Sequence, residues 1–317
     1  MKKLALLLAA LSVASVSYAK EVMPEAAPVV EEAPVVEQEV VEVKAAPVLR
    51  VTSVGQELVV ENNSNANGDG QEDIGDAIHL KNKVGLALGD NWTFDLMARK
   101  TWTASIDDHL NGDTEGSGMK SKAHRIELAA TRHFENFSLG LRWRGEQGSD
   151  AIFLPVSYNY GMVSGWFDPA YYFVNESEGQ DKFYLEAEPV VLSYGPVQLA
   201  YYFEGTKWTG DGNATDDVKS DYVHQARLRG TVYSNDTFSV GAEYRYQFAQ
   251  DVEMLNGKDG VENNRHIAVL SGAYNVTENL TLAGYYQYEF NKYEQHEGTA
   301  MDDDYYGEFG LGWSYNF

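Results

Sequence analysis

Charged side chains recur at alternate positions in stretches whose other positions are apolar. Lys81 and Lys83, Arg99, Arg125, and the pair Arg142 and Arg144 fall in the first half of the chain, with His79 extending the first group. Glu186, Glu188 and Glu204 follow, then Arg227 and Arg229, Glu243 beside Arg245, and finally Glu289 and Glu308. A two-residue repeat puts such a set on one face of an extended chain. Basic groups opposite acidic ones across a wet cavity would create a transverse field, which orients polar solutes and slows apolar ones. Paired with each other, the same groups would brace the cavity wall. The spacing allows both.

Other chemistries find less support. Asn63-Ser64-Asn65-Ala66-Asn67-Gly68 has the look of a calcium loop, but such a loop needs Asp first and Glu twelfth, and here Asn63 and Ile74 stand there. Asp302-Asp303-Asp304 and the acids between Asp211 and Asp217 lack spaced ligands, so solvated surface is the better reading and no metal or cofactor is expected. Catalysis would need a histidine beside an acid or a nucleophile. The seven histidines are 79, 109, 124, 133, 224, 266 and 296; His109 and His296 lie near Asp107, Asp108 and Asp303, yet no motif unites them. An enzyme is not expected.

The elements that must carry the charged face are β-strands. Phe238, Val240, Ala242, Tyr244, Tyr246 and Phe248 alternate with Ser239, Gly241, Glu243, Arg245 and Gln247. Leu280 to Phe290 and Phe137 to Arg144 repeat the pattern. Each apolar face runs for roughly 10 residues, the length that crosses a bilayer when tilted. A soluble sandwich would alternate too, but its strands would be shorter and its polar face wet. Here aromatics stand at strand ends (Trp92, Trp102, Phe134, Phe137, Trp166, Trp208, Phe238, Tyr274 and Trp313), where two girdles would meet the headgroups. No apolar run is long enough for a spanning helix, so a crossing would be by a closed barrel.

The connections alternate in length. Short ones are expected at residues 89–91, 135–136, 161–164, 195–196, 235–236 and 276–279, and longer polar ones at 63–72, 107–118, 146–150, 175–181, 210–217, 251–263 and 291–303. Six turns and seven loops imply fourteen strands with both ends on the turn side. The fold expected is all-β: a transmembrane antiparallel up-and-down barrel. Its weak strands are the first, Leu49 to Val60, and those around Pro155, Pro169 and Pro189, because proline disrupts pairing.

Three segments follow. Residues 1–19 read as a cleaved signal peptide: Lys2 and Lys3, an apolar core from Leu4 to Val16, then Ser17-Tyr18-Ala19. Residues 20–47 hold seven Glu, with Pro at 24, 28, 34 and 47 and no aromatic, which suits a disordered periplasmic tether. Residues 48–317 form the barrel. The chain has no cysteine, so neither disulfide nor lipoprotein anchor is expected. Net charge is -24, or -26 once Lys2 and Lys3 leave, which argues against nucleic acid as a partner. From Val48 on there are 20 basic and 41 acidic residues. Acids in the loops, among them Asp107, Asp108, Asp113, Glu115, Asp211, Asp216 and Asp217, would give weak cation preference that fades as salt rises.

The last strand sets Phe309, Leu311, Trp313, Tyr315 and Phe317 against Glu308, Gly310, Gly312, Ser314 and Asn316. A terminal aromatic on such a strand resembles the signal read by the outer-membrane barrel-assembly machinery; Gly312, Tyr315 and Phe317 fit it, while Gly310 stands where a polar residue is usual. The opening MKKLALLLAALSVASVSYAKEVMPEAAPVVEE, followed by such a barrel, resembles the major outer-membrane porin family of fusobacteria. That resemblance implies a voltage-sensitive, nonspecific diffusion pore for small polar solutes, homotrimers in outer-membrane lipid, and surface loops that act in adhesion. The competing reading is a non-conducting adhesin or structural barrel. Deleting Phe317 should leave folded protein scarce in the outer membrane while export stays normal, as a fractionation blot would show.

Overall fold

The computed structural model describes residues 48–63, 73–104, 106, 118–175, 179–209, 218–294 and 303–317. The signal and tether assigned to residues 1–47 lie outside them, as do most of the acidic loop residues. Fifteen strand segments follow in order: β1 Leu49–Asn63, β2 Asp73–Leu88, β3 Trp92–Thr103, β4 Lys120–His133, β5 Phe137–Glu146, β6 Ser149–Phe153, β7 Val156–Tyr160, β8 Val163–Val174, β9 Lys182–Tyr194, β10 Val197–Trp208, β11 Val218–Ser234, β12 Phe238–Met254, β13 Glu262–Asn275, β14 Leu280–Glu294 and β15 Asp304–Asn316. Among the described residues no helix is long and apolar enough to cross a membrane.

Every neighbour is antiparallel, and the ladder closes on itself. β1 pairs β15 from Ser53↔Asn316 to Asn63↔Tyr306. The other side of β1 pairs β2, with bulges between Val51 and Ser53 and between Val60 and Asn62. β6 and β7 are two halves of one stave: β5 pairs both, and so does β8. The expected fourteen strands are therefore present, one of them interrupted.

Proline explains the interruption. Pro155 has no N–H to offer the ladder, so pairing stops at Phe153 and resumes at Val156. The gap is still bonded: Gly140 N–H donates to the Pro155 carbonyl at 2.7 Å, and Leu154 N–H to that of Pro169 at 2.9 Å. Pro169 stays inside β8 opposite Leu185, and Pro189 falls inside β9. There the β9–β10 register shifts between Tyr201 and Phe203.

Short turns sit where they were expected, and two use glycine for its backbone freedom. Gly89 and Gly195 have φ of 59° and 55°, the left-handed region that a Cβ disfavours. One expected loop is shorter than its neighbours: β5 passes to β6 through Gln147 and Gly148 alone. The first strand, expected to end at Val60, runs on to Asn63.

The two faces separate cleanly. Leu139, Leu141, Leu199, Leu228, Tyr244, Tyr286, Phe309 and Leu311 are exposed, while Lys81, Arg125, Glu188, Arg227, Arg245 and Gln247 are buried. An apolar outside around a polar inside is the arrangement of a membrane-spanning barrel. Two aromatics expected in the girdles face inward instead. Trp166 donates its indole N–H to Glu188 Oε2 at 3.3 Å, and the Trp208 ring lies under the Lys182 ammonium at 5.6 Å. Both share strand parity with interior carboxylates, Asp168 and Glu204.

A small apolar patch, Ala151, Phe153, Ala170 and Tyr172, packs inside the barrel under Val174 and Tyr184. Gly310, the departure from the usual terminal pattern, also has its reason there. A Cβ at Gly310 would strike the Tyr285 ring, which lies across that backbone and donates its hydroxyl to Glu308. Gly310→Val should therefore displace Tyr285 and lower stability by about 1–3 kcal/mol, the usual cost of overpacking. Urea unfolding in detergent or vesicles measures it.

Candidate functional site: a paired-charge interior

The interior charges form four groups, each built across neighbouring strands. On β1 and β2, Glu57 receives Lys83 at 3.0 Å and Lys81 at 3.7 Å. Above them Glu61 meets His79 Nε2 at 2.7 Å, and His79 Nδ1 meets the Thr101 hydroxyl of β3 at 2.9 Å. Carboxylate, imidazole and hydroxyl in line are the order of a nucleophilic triad. All three side chains are buried, so the hydroxyl is closed to a substrate and the chain of bonds ties three strands. Glu308 joins this end from β15, taking the hydroxyls of Tyr285 and of Tyr306, the latter at 2.9 Å.

The second group holds the arginines of β3, β4 and β5. Arg125 pairs closely with Glu146, which Arg99 also approaches at 3.8 Å. Arg144 Nε donates to Glu127 at 2.7 Å and its Nη1 to the Tyr172 hydroxyl at 2.9 Å. Arg142 donates to Asp168 of β8. Both Arg142 and Arg144 lie over the Phe153 ring, at 4.1 and 4.5 Å from its centre. A guanidinium over an aromatic face gains electrostatically, the more so when dry.

In the third group Glu188 of β9 is the hub. Arg229 grips it with two nitrogens at 2.9 and 2.7 Å, and Arg227 adds a third contact at 3.1 Å. Two-pronged arginine–carboxylate pairs are the stronger and more directional kind. Arg227 also covers the Tyr202 ring at 3.4 Å. Glu186 and Glu204 stand opposite each other across β9 and β10 and take tyrosine hydroxyls: Tyr184 reaches them at 3.0 and 3.2 Å, Tyr202 at 3.2 and 3.0 Å. In the fourth group, Glu243 pairs with Arg245 at 2.8 Å and Glu289 with Arg265 at 3.5 Å.

The expected contrast of a basic wall with an acidic one is not what the strands build. Glu57, Glu127, Glu146 and Asp168 stand among the cations of β2 to β5, and Arg227 and Arg229 close on Glu188. Those four acids and Arg265 were not singled out from the sequence, although period two offered a signal: Glu127 lies two residues from Arg125, on the same face. The reason for interleaving is energetic. A lone charge away from water costs several kcal/mol, so charges on a crowded wall come with partners.

Solved structures align with this chain over most of its length. One described as a bacterial polysaccharide outer membrane secretin aligns over 83% of this chain and 98% of its own, at 10% identity and a TM-score of 0.50. An anion-selective porin from Comamonas acidovorans aligns over 85% and 100%, at 13% identity and a TM-score of 0.43. Outer-membrane expressed OmpT of Vibrio cholerae aligns over 87% and 100%, at 12% identity and a TM-score of 0.46. At 10% identity the likeness to the first of these is one of fold. No protein-family model and no curated sequence matches the chain.

The hub is the most sensitive point. Glu188→Ala would leave buried Arg227 and part-buried Arg229 without their shared carboxylate, and removing one partner of a buried pair costs about 3–5 kcal/mol. The unheated, compact form on a gel should convert to the unfolded form at a markedly lower temperature than wild type.

Proposed function

We propose that the protein is an outer-membrane porin, passing small hydrophilic solutes and ions through the barrel by passive diffusion. One observation carries this reading: a closed barrel keeps its apolar side chains outside and lines its inside with arginine, lysine and glutamate. A barrel serving only as an adhesin could use these pairs to brace its wall, so conductance is what separates the two readings. Lys81, Lys83, Arg99, Arg125, Arg142, Arg144, Arg227, Arg229 and Arg245, with Glu186, Glu188, Glu204, Glu243, Glu289 and Glu308, are the pore-lining set in this proposal. The part-exposed members, Lys83, Arg99, Arg142, Arg144 and Arg229, present fixed dipoles to a passing solute, while the buried ones hold them in place.

The remaining parts follow from the sequence. Residues 1–19 export the chain, residues 20–47 trail in the periplasm, and Gly312, Tyr315 and Phe317 address it to the barrel-assembly machinery. The fusobacterial resemblance supports nonspecific diffusion and a homotrimer. Planar-bilayer recording of the purified protein tests the function: discrete conductance steps are expected, and a silent barrel would favour the adhesin or structural reading.

Selectivity follows from the pairing. Arg142 and Arg144 balance Asp168 and Glu127. Replacing both arginines by Gln leaves those carboxylates in excess inside the barrel, where salt screens least. The reversal potential in a salt gradient should move toward cations, and more at low salt than at high.

A further inference from the structure

The interior pairing leaves one cation over. A single row runs in register across five strands: Glu57 of β1 faces Lys81 of β2, Lys81 faces Arg99 of β3, Arg99 faces Arg125 of β4, and Arg125 faces Glu146 of β5. Neighbouring strands lie about 4.8 Å apart, and like charges directly opposite each other repel. Each outer cation of the row has a carboxylate beside it. Arg99, in the centre, has a cation on both sides.

The acids at the ends do not make up for this. The Glu57 oxygen that Lys81 approaches at 3.7 Å is the one that Lys83 holds at 3.0 Å. The Glu146 oxygen that lies 3.8 Å from Arg99 Nη2 is the one that Arg125 grips. Arg125 also approaches Glu127 at 3.6 Å, but Arg144 holds that oxygen at 2.7 Å. Five cations thus share Glu57, Glu127 and Glu146. Glu308 acts on Lys81 through space, while its oxygens take the hydroxyls of Tyr285 and Tyr306.

Arg99 makes no hydrogen bond among the described residues, and its Nε is buried without a partner. Its side chain keeps 10% of its surface open, enough to meet a solute and too little for full hydration. A guanidinium so placed is costly to hold unless a negative group comes to it. We propose that Lys81, Arg99 and Arg125 form an anion-binding site on the lumen wall, centred on Arg99. It takes a small oxyanion: phosphate, or the carboxylate of a passing solute. Guanidinium forks suit such groups because two N–H donors can meet two oxygens side by side. Glu57 and Glu146 at the ends of the row weaken the hold, so a bound anion can leave again, as conduction requires. The site rests on the porin reading, which brings the anion into the lumen.

The test uses the full chain folded in detergent. Samples are heated in sodium phosphate, or in sodium chloride of equal ionic strength, and run on a gel that separates the compact from the unfolded form. Phosphate should raise the conversion temperature of the wild type above that in chloride, because a ligand of the folded state stabilises it. Arg99→Gln should lose that shift and Arg99→Lys should keep part of it. Lys207→Gln, which removes an exposed cation outside the row, should keep all of it. In chloride, Arg99→Gln should convert at a higher temperature than the wild type, since it removes a cation with no carboxylate of its own. A shift with sodium acetate as well would extend the site to carboxylate solutes, and a shift with phosphate alone would confine it to phosphate. No phosphate shift in the wild type, or an equal one in Arg99→Gln, would overturn the proposal. So would an Arg99→Gln barrel that is less stable in chloride, which would make Arg99 a brace of the wall. Bilayer recording keeps the two readings apart: a phosphate shift in a barrel that never conducts would uphold the site and reject the pore. Conductance without any phosphate shift would reject the site alone.

Discussion

A peptide group in hydrocarbon has no water to bond, so each N–H and C=O at that depth needs a partner from the chain itself. The β1–β15 seam is where this demand is met or lost. Eleven register pairs run there from Ser53↔Asn316 to Asn63↔Tyr306, and the chain end is bonded too, with Phe317 N–H on the Thr52 carbonyl at 3.0 Å. Without that seam, two edges would face lipid over their whole length. The aromatic strand β15, paired with β14 and β1, is thus the one that completes the ladder. Proline is tolerated only under the same condition, which is why the break at Pro155 is spanned by Gly140 and Leu154.

Closure turns one face of every strand inward, and what happens inside follows from crowding. Interior residues come from strands that sit next to each other, so a charge finds its partner on its own strand or one or two strands away. Arg144 takes Glu127 from β4, Arg142 takes Asp168 from β8, and Arg229 takes Glu188 from β9. Buried pairs of this type add little net stability over an apolar core, yet breaking one is expensive. Their effect is to hold each guanidinium in a defined place. A solute crossing the barrel would meet an ordered pattern of donors and acceptors in place of loose ionic chains.

Much of this was legible in the sequence. Strict alternation from Phe238 to Phe248 assigned both faces, and the structure exposes Phe238, Tyr244, Tyr246 and Phe248 while burying Glu243, Arg245 and Gln247. Turn and loop lengths were enough for the strand count. Partnership was not legible, because period two tells which way a side chain points and says nothing about what stands across from it. Register supplies that, and register includes bulges. Around Pro189 the alternation slips: Glu186 and Glu188 face inward, then Val190 is 43% exposed and Val191 is 3% exposed. Trp166 and Trp208 were misplaced for a different reason. They were read by their position at strand ends, when their parity with Asp168 and Glu204 already pointed inside.

Pairing also changes what the acidity of the chain means. The full chain carries -24, and residues 48–317 alone hold 41 acids against 20 bases. Most interior carboxylates answer a lysine or an arginine, so the interior is far closer to neutral than the whole. Much of the acid excess falls in the sequence at residues 20–47, 107–115 and 211–217. A charge in open water loses reach beyond about 10 Å at 0.1 M. Charges on the inner wall are fixed, close to any solute and poorly screened. A small imbalance inside, of one or two groups, therefore outweighs a large excess outside wherever the solute is most confined. On the proposed pore reading, selectivity would follow which interior partner is missing more than the sign of the whole protein.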